Sequence, residues 1–199
     1  MNRFLRAFFA CLIFAFILFS THYTHVEFFT VNVVLYAALL DVAIAVALTF
    51  VLLWATGFLA IYNALERLLL VLVWLLAGYA FAISVPTVID RSLSFYILEK
   101  LEQRGGGIRE DRMKDVFTKE YMVEHHLVDI RLTEQLQSGT IEIKNGCVRL
   151  TDKGARVAMF SRFYRLHLLP KKRLIMGKYT DELTNPFRNS VSKVDYQCR

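Results

Sequence analysis

The sequence lacks the residue sets from which most active sites are built. It has no Cys-x-x-Cys pair, no glycine-rich phosphate loop following a strand and no nucleophile elbow, so thiol redox chemistry, nucleotide cradling and hydrolase-type acyl transfer have no recognisable carrier. Its 3 cysteines in 199 residues are too few for a disulfide framework. Cys11 falls in an apolar run, and a Cys147–Cys198 pair requires that the second half of the chain be exported. Charge is nearly absent from the first half, where only Arg3, Arg6, Glu27, Asp41, Glu66 and Arg67 precede Asp90. With 55% hydrophobic residues overall, that asymmetry divides the chain into a membrane half and a water-facing half.

Behind the short basic leader Met1–Arg6, the apolar run Phe4 to Phe19 passes straight into Ser20-Thr21-His22-Tyr23 without a small-x-small cleavage site, which favours a retained anchor over a cleaved signal peptide. The next apolar stretch, Phe28 to Tyr62, is too long for one crossing, since a bilayer core takes roughly 20 helical residues. The expected spans are therefore 4–20, 42–62 and 68–85, with Asp41 at the mouth of the second and Pro86 ending the third. Asp41 is the one intramembrane polar residue that asks for an explanation. No Lys or Arg in these spans matches its depth, so the sequence leaves two readings, reaching the interface or pairing with another protein. His22 and His25 form an H-x-x-H pair in the expected first loop; no cysteine or carboxylate set surrounds them, so no metal is assigned, and no cofactor either.

Arg3, Arg6 and Arg67, with a 21–30 loop free of Lys and Arg, place the N-terminus inside and, after three spans, the C-terminal half outside. Arg91, Lys100 and Arg104 argue the reverse. Short loops weigh more than long domains, so an external C-terminal half is the favoured topology.

The second half reads as helix, helix, helix, hairpin, helix. Leu93, Tyr96, Ile97 and Leu101 share a helix face that Gly105-Gly106-Gly107 breaks. Two further helices are expected over 109–118 and 119–137, with Met113, Val116 and Phe117, then Met122, Val123, Leu127, Ile130, Leu132 and Leu136 as core positions. Residues 140–144 and 147–151 alternate around Asn145-Gly146, a pair suited to a turn with positive φ at both residues. Gly154 then releases a helix over 155–169, stopped by Pro170. The stretch "LTEQLQSGTIEIKNGCVRLTDKGARVA", with Leu150, Thr151 and Gly154 as its Leu-Thr-x-x-Gly, resembles the winged-helix domain of bacterial transcription regulators over about 90–169. The resemblance implies a small α+β domain that either reads DNA or binds protein.

Electrostatics separate those two uses. The stretch that would enter the major groove, around 124–137, carries Glu124, Asp129 and Glu134 against Arg131 alone, whereas DNA affinity rests largely on phosphate attraction. The positive charge lies farther on: Lys153 to Lys178 contains 8 basic residues and no acidic one, interleaved with Met159, Phe160, Phe163 and Tyr164. Such a segment suits an anionic lipid surface; its apolar face can equally complete the core of the domain, and its basic face can bind a nucleic-acid backbone.

The sequence thus predicts a mainly α protein, three transmembrane helices followed by a small winged-helix-like α+β domain. The boundaries are a membrane domain at 1–87, the winged-helix-like domain at 88–169, and a basic then polar tail at 170–199. The expected function is that of a non-enzymatic, multi-pass subunit of the bacterial inner membrane, accessory to a cell-envelope or glycan-assembly complex. The alternative is a membrane-tethered transcription regulator. Expected partners are a larger integral membrane protein and an anionic lipid surface, met by Arg156, Arg162, Phe163, Arg165, Lys171, Lys172 and Arg173, with nucleic acid retained for the alternative.

Overall fold

The computed structural model describes residues 2–188, and backbone contacts divide the chain into two units, Met1–Tyr121 and Met122–Arg199. The pairing expected for Cys147 involves Cys198, which lies outside the described residues.

The first unit is built on α1 (Arg3–Phe28), α2 (Val34–Ala55) and α3 (Ala64–Ala82). Three helices are long and apolar enough to cross a membrane: Arg3–Phe28, Val34–Ala55 and the extended Ala64–Arg91. Asn2 starts α1 by accepting a hydrogen bond from the Leu5 amide at 2.8 Å. Asn63 and Glu66 cap α3 reciprocally, each side chain accepting from the other residue's amide at 2.8 Å.

These bounds correct the expected spans. α1 does not stop at residue 20 but runs two further turns, carrying His22 and His25 on the helix rather than in a loop. α2 begins at Val34, which places Asp41 two turns inside it instead of at its mouth, and ends at Ala55 rather than 62. Pro86 does not end the third span. The helix widens into a π turn over Ile83–Thr87 and continues as α4 (Val88–Arg91). Proline has no amide hydrogen for the carbonyl four residues earlier, here that of Ala82, and the Thr87 hydroxyl donates to that oxygen at 2.8 Å.

Small residues let the three helices approach closely. Ala10, Ala38, Ala45, Gly78 and Ala82 are buried together with Phe14, Val42, Leu53 and Trp74. Phe14 and Trp74 stack at 5.9 Å. A Cβ on Gly78 would lie 2.4 Å from Val42 Cγ1, so α2 and α3 touch where only glycine fits. At the end of the bundle formed by the start of α1 and the turn between α2 and α3, the Tyr62 hydroxyl donates to the Arg3 carbonyl at 2.8 Å and Arg3 pairs with Glu66 at 2.9 Å.

Beyond α4, Ser92 caps α5 (Leu93–Gln103), and Gly105 at φ 79° helps to end it, as the glycine run predicts. α5 packs on the segment that follows α6 (Met113–Asp115). The Tyr96 and Tyr121 rings lie 4.6 Å apart, and Glu120 bridges Lys100 and Arg104 at 2.9 Å each. The Lys100 ammonium, then the Arg104 guanidinium, hold the Glu120 carboxyl below its usual value of 4.5.

The second unit contains α7 (Met122–Glu124), α8 (Leu127–Gln137), β1 (Ile141–Lys144), β2 (Cys147–Leu150), α9 (Asp152–His167), β3 (Arg173–Ile175) and β4 (Lys178–Thr180). The helix expected over 119–137 is interrupted by His126 at φ 44°. β1 and β2 pair antiparallel from Ile141↔Leu150 to Lys144↔Cys147, and Asn145 and Gly146 turn between them at φ 52° and 73°. Thr151 joins hairpin to helix: it caps α9 through the Gly154 amide at 3.1 Å, while its own amide donates to the Thr140 carbonyl at 3.1 Å. A Cβ on Gly154 would stand 2.0 Å from that same carbonyl, which accounts for the glycine in Leu-Thr-x-x-Gly.

Two expectations for this unit are corrected. Residues 173–180 are not plain tail but a second antiparallel hairpin, turning through Met176 and Gly177 at φ 46° and 81°. Most of the expected core positions also stay uncovered: Val123 is 67% exposed, Ile130 40% and Leu136 40%, whereas Leu127 and Leu132 are half-buried. Among the described residues from 122 onward, no hydrophobic side chain is buried.

Two outcomes follow from the first unit. Gly78→Ala should lower the unfolding free energy in detergent by about 1–3 kcal/mol, the range for overpacking a filled contact, and Val42→Ala should restore much of it; thermal melts of the single and double variants measure this. For Glu120, a lowered folded pKa means that the α5 clasp is at full strength above the usual carboxylate value and weakens as pH falls through the folded value. Near-ultraviolet circular dichroism of the Tyr96–Tyr121 pair should change on acidification below about pH 4.5, and Glu120→Gln should remove that step.

Candidate functional site

A cluster of Asp41, His22 and His25 joins α1 to α2. Asp41 is fully buried. Its Oδ2 lies 2.8 Å from His22 Nδ1 and its Oδ1 lies 2.6 Å from His25 Nδ1, so both carboxylate oxygens are engaged by rings from the neighbouring helix. An ionised carboxylate can only accept, and against it each imidazole donates its Nδ1–H. In that tautomer the Nε2 atom of each ring is an acceptor.

Local sequence explains the arrangement. Residues three apart on an α-helix share a face, so the H-x-x-H spacing becomes a paired grip once α1 continues through it. The His22 ring packs edge-on against Phe81 of α3 at 5.4 Å, and His25 edge-on against Phe29 at 5.8 Å. Each imidazole is thus oriented by a carboxylate on one side and an aromatic ring on another. The side chains of both histidines remain 19% exposed.

The reading that paired Asp41 with a residue of another protein is therefore corrected: its partners lie on its own chain. Lysine and arginine at matching depth are the partners usually expected of a membrane carboxylate, but here histidine is the donor, and it comes from a part of α1 beyond the expected end of the first span. The signal present in the sequence is the spacing itself, His22 and His25 ahead of a carboxylate on the next helix. Among the described residues, no group of three or more His, Cys, Asp or Glu is placed to hold a metal ion.

A groove of about 530 Å³ opens beside the cluster between α1 and α2. His25, Asp41, Ser20, Thr21 and Thr24 supply its polar end, and Phe16, Ile17, Ile44 and Leu48 its apolar walls.

The residues expected at a surface or partner contact are spread over α9 and the following hairpin. Arg156, Arg162 and Phe163 are exposed on α9, and Lys171, Lys172 and Arg173 are exposed at the approach to β3. Arg165 is partly covered, its guanidinium 5.6 Å from the centre of the Phe187 ring. On α8, Arg131 pairs with Glu134 of the same helix at 2.7 Å. No protein-family model matches the chain, and no curated protein or solved structure matches it.

The histidine geometry has a direct test. In ¹⁵N spectra of the bilayer-embedded chain, His22 and His25 should both show a proton on Nδ1, and Asp41→Leu should abolish that pattern at both rings together. A change at one ring alone would show that the carboxylate does not serve the two as a pair.

Proposed function

We propose that the chain is a non-enzymatic, multi-pass subunit of a bacterial inner membrane whose winged-helix-like C-terminal half engages the membrane surface and a larger membrane protein. The observation that carries this reading is the second unit's uncovered apolar surface. On α9, Val157, Met159, Phe160 and Phe163 are 52–67% exposed. On the second hairpin, Leu174, Met176 and Tyr179 are 59%, 82% and 73% exposed. A soluble unit of this size needs a covered core, and contiguous exposed apolar area marks an interaction face.

Basic residues interleave with those apolar side chains. The stretch from Lys153 to Lys178 carries no acidic residue, and the hairpin tip at Met176 is flanked by Lys171, Lys172, Arg173 and Lys178. Apolar groups at the tip and cations around it match the layering of a bilayer surface, where each basic residue near anionic headgroups contributes about 1 kcal/mol. The order of three helical segments, a hairpin and a capped helix supports the winged-helix reading of the scaffold. The same order supports the alternative of a membrane-tethered regulator. On α8 the two acidic residues and a lone arginine paired within the helix weigh against DNA as the ligand. The envelope or glycan-assembly setting belongs to this proposal as its expected context.

A topology reporter fused to the C-terminus separates the two readings. Periplasmic phosphatase activity without cytoplasmic fluorescence agrees with an external interaction unit and excludes a DNA reader; fluorescence without phosphatase activity excludes the external unit and favours the regulator. Hydrogen exchange on the whole chain in vesicles then tests the surface. Amides over 152–180 should be slower in phosphatidylglycerol than in phosphatidylcholine, and charge reversal at Arg162, Arg165, Lys171 and Lys172 should erase the difference.

A further inference from the structure

The geometry points to the groove between α1 and α2 as a binding site for a neutral, hydroxyl-headed membrane lipid, with the head at His25 and Thr24 and the chain along Ile17, Ile44 and Leu48. Its volume of about 530 Å³ falls within the roughly 300–1,000 Å³ of small-molecule sites. Its composition is graded. Polar atoms gather where α1 nears its C-terminal end, and the walls below are apolar. From His25 to Ile17 is about 12 Å along α1 at the helical rise, the length of a medium acyl or prenyl segment.

Hydrogen-bonding capacity selects the head. His25 Nδ1 is engaged by Asp41 at 2.6 Å; in the tautomer that donates to the carboxylate, Nε2 is an acceptor, and Nε2 has no hydrogen-bond partner among the described residues. The Thr24 hydroxyl donates to the Ser20 carbonyl at 2.8 Å, which leaves its oxygen lone pairs accepting as well. Two acceptors at one end of a groove call for a ligand that donates. No Lys or Arg is among the residues lining the groove, and Asp41 contributes negative charge, so a phosphate head lacks a counterion and meets repulsion. A hydroxyl donates without charge. The site is independent of the surface interaction proposed for the second unit.

The test uses the whole chain in phosphatidylcholine nanodiscs with a diazirine-bearing hexadecanol, and hexadecyl phosphate carrying the same photoreactive group as the comparison probe. The alcohol should label peptides within 16–48 saturably and be displaced by plain hexadecanol. Leu48→Trp lies on an exposed wall position away from the cluster and should cut saturable labelling about tenfold or more, corresponding to about 1.4 kcal/mol. His25→Phe should abolish the preference for alcohol over phosphate. Non-saturable labelling equal in wild type and Leu48→Trp would mean ordinary lipid solvation and overturn the site. Stronger labelling by the phosphate probe would overturn the assignment of the head.

Discussion

A buried carboxylate between two helices of membrane-spanning length sets the terms for the first unit. Taking an ionised side chain out of water costs several kcal/mol unless it is met by hydrogen bonds. Asp41, two turns inside α2 and fully buried, has no lysine or arginine hydrogen-bonded to it. Two imidazole N–H groups meet it instead, and hydrogen bonds to a charged group are worth about 1.5–3 kcal/mol each. The pair is of the right size to offset the cost, and loss of either donor leaves one oxygen unmet. The α1–α2 pairing thus rests on a polar contact as well as on the close approach of Ala10, Ala38 and Ala45.

The requirement that backbone polar groups be met in an apolar setting explains the course of the third helix at Pro86. Pro86 deprives the Ala82 carbonyl of its usual donor, and an unmet buried acceptor costs about 1–3 kcal/mol. The Thr87 hydroxyl takes the vacant place, so the helix widens through a π turn and goes on to Arg91. Proline here shapes the helix without ending it. Extension of α1 past residue 20 has a related origin: Thr24 returns its hydroxyl proton to the Ser20 carbonyl, so a polar-looking Ser-Thr-His segment remains helical.

Those two elements mark where the sequence was legible and where it was not. Periodicity and turn chemistry act over a few residues, which is why the Asn145-Gly146 hairpin, the break at Gly105 and the start of α9 near Gly154 could be read directly. The number of spans followed from apolar length. Their limits did not, because a hydropathy criterion ends a helix at its first polar cluster, whereas the chain continues it wherever each polar side chain finds a partner. The site was hidden for the same reason. His22 and His25 looked like loop residues and Asp41 like an unpaired acid until one helix brought the first two onto the same face opposite the third. The hairpin at 173–180 was missed because Met176-Gly177 is a less familiar turn pair than Asn-Gly and the basic run around it reads as solvated tail.

The two units treat apolar surface in opposite ways, and the contrast favours a role at the membrane for the second. In the first, exposed Leu, Phe and Val lie along helices suited to lipid, and small residues supply the contacts between helices. In the second, Phe160, Phe163, Leu174 and Met176 are exposed together with further apolar residues and interleaved with Arg and Lys. Full immersion in hydrocarbon would strand those cations, and full immersion in water would strand the aromatics. The boundary between the two satisfies both, with the apolar tips below the headgroups and the charged heads among them. A hairpin is well suited to this, since its turn projects Met176 while the strands on either side keep Arg173 and Lys178 behind it. On the proposed function, the second hairpin would form part of the anchoring surface and α9 would present its remaining apolar side chains to a protein partner.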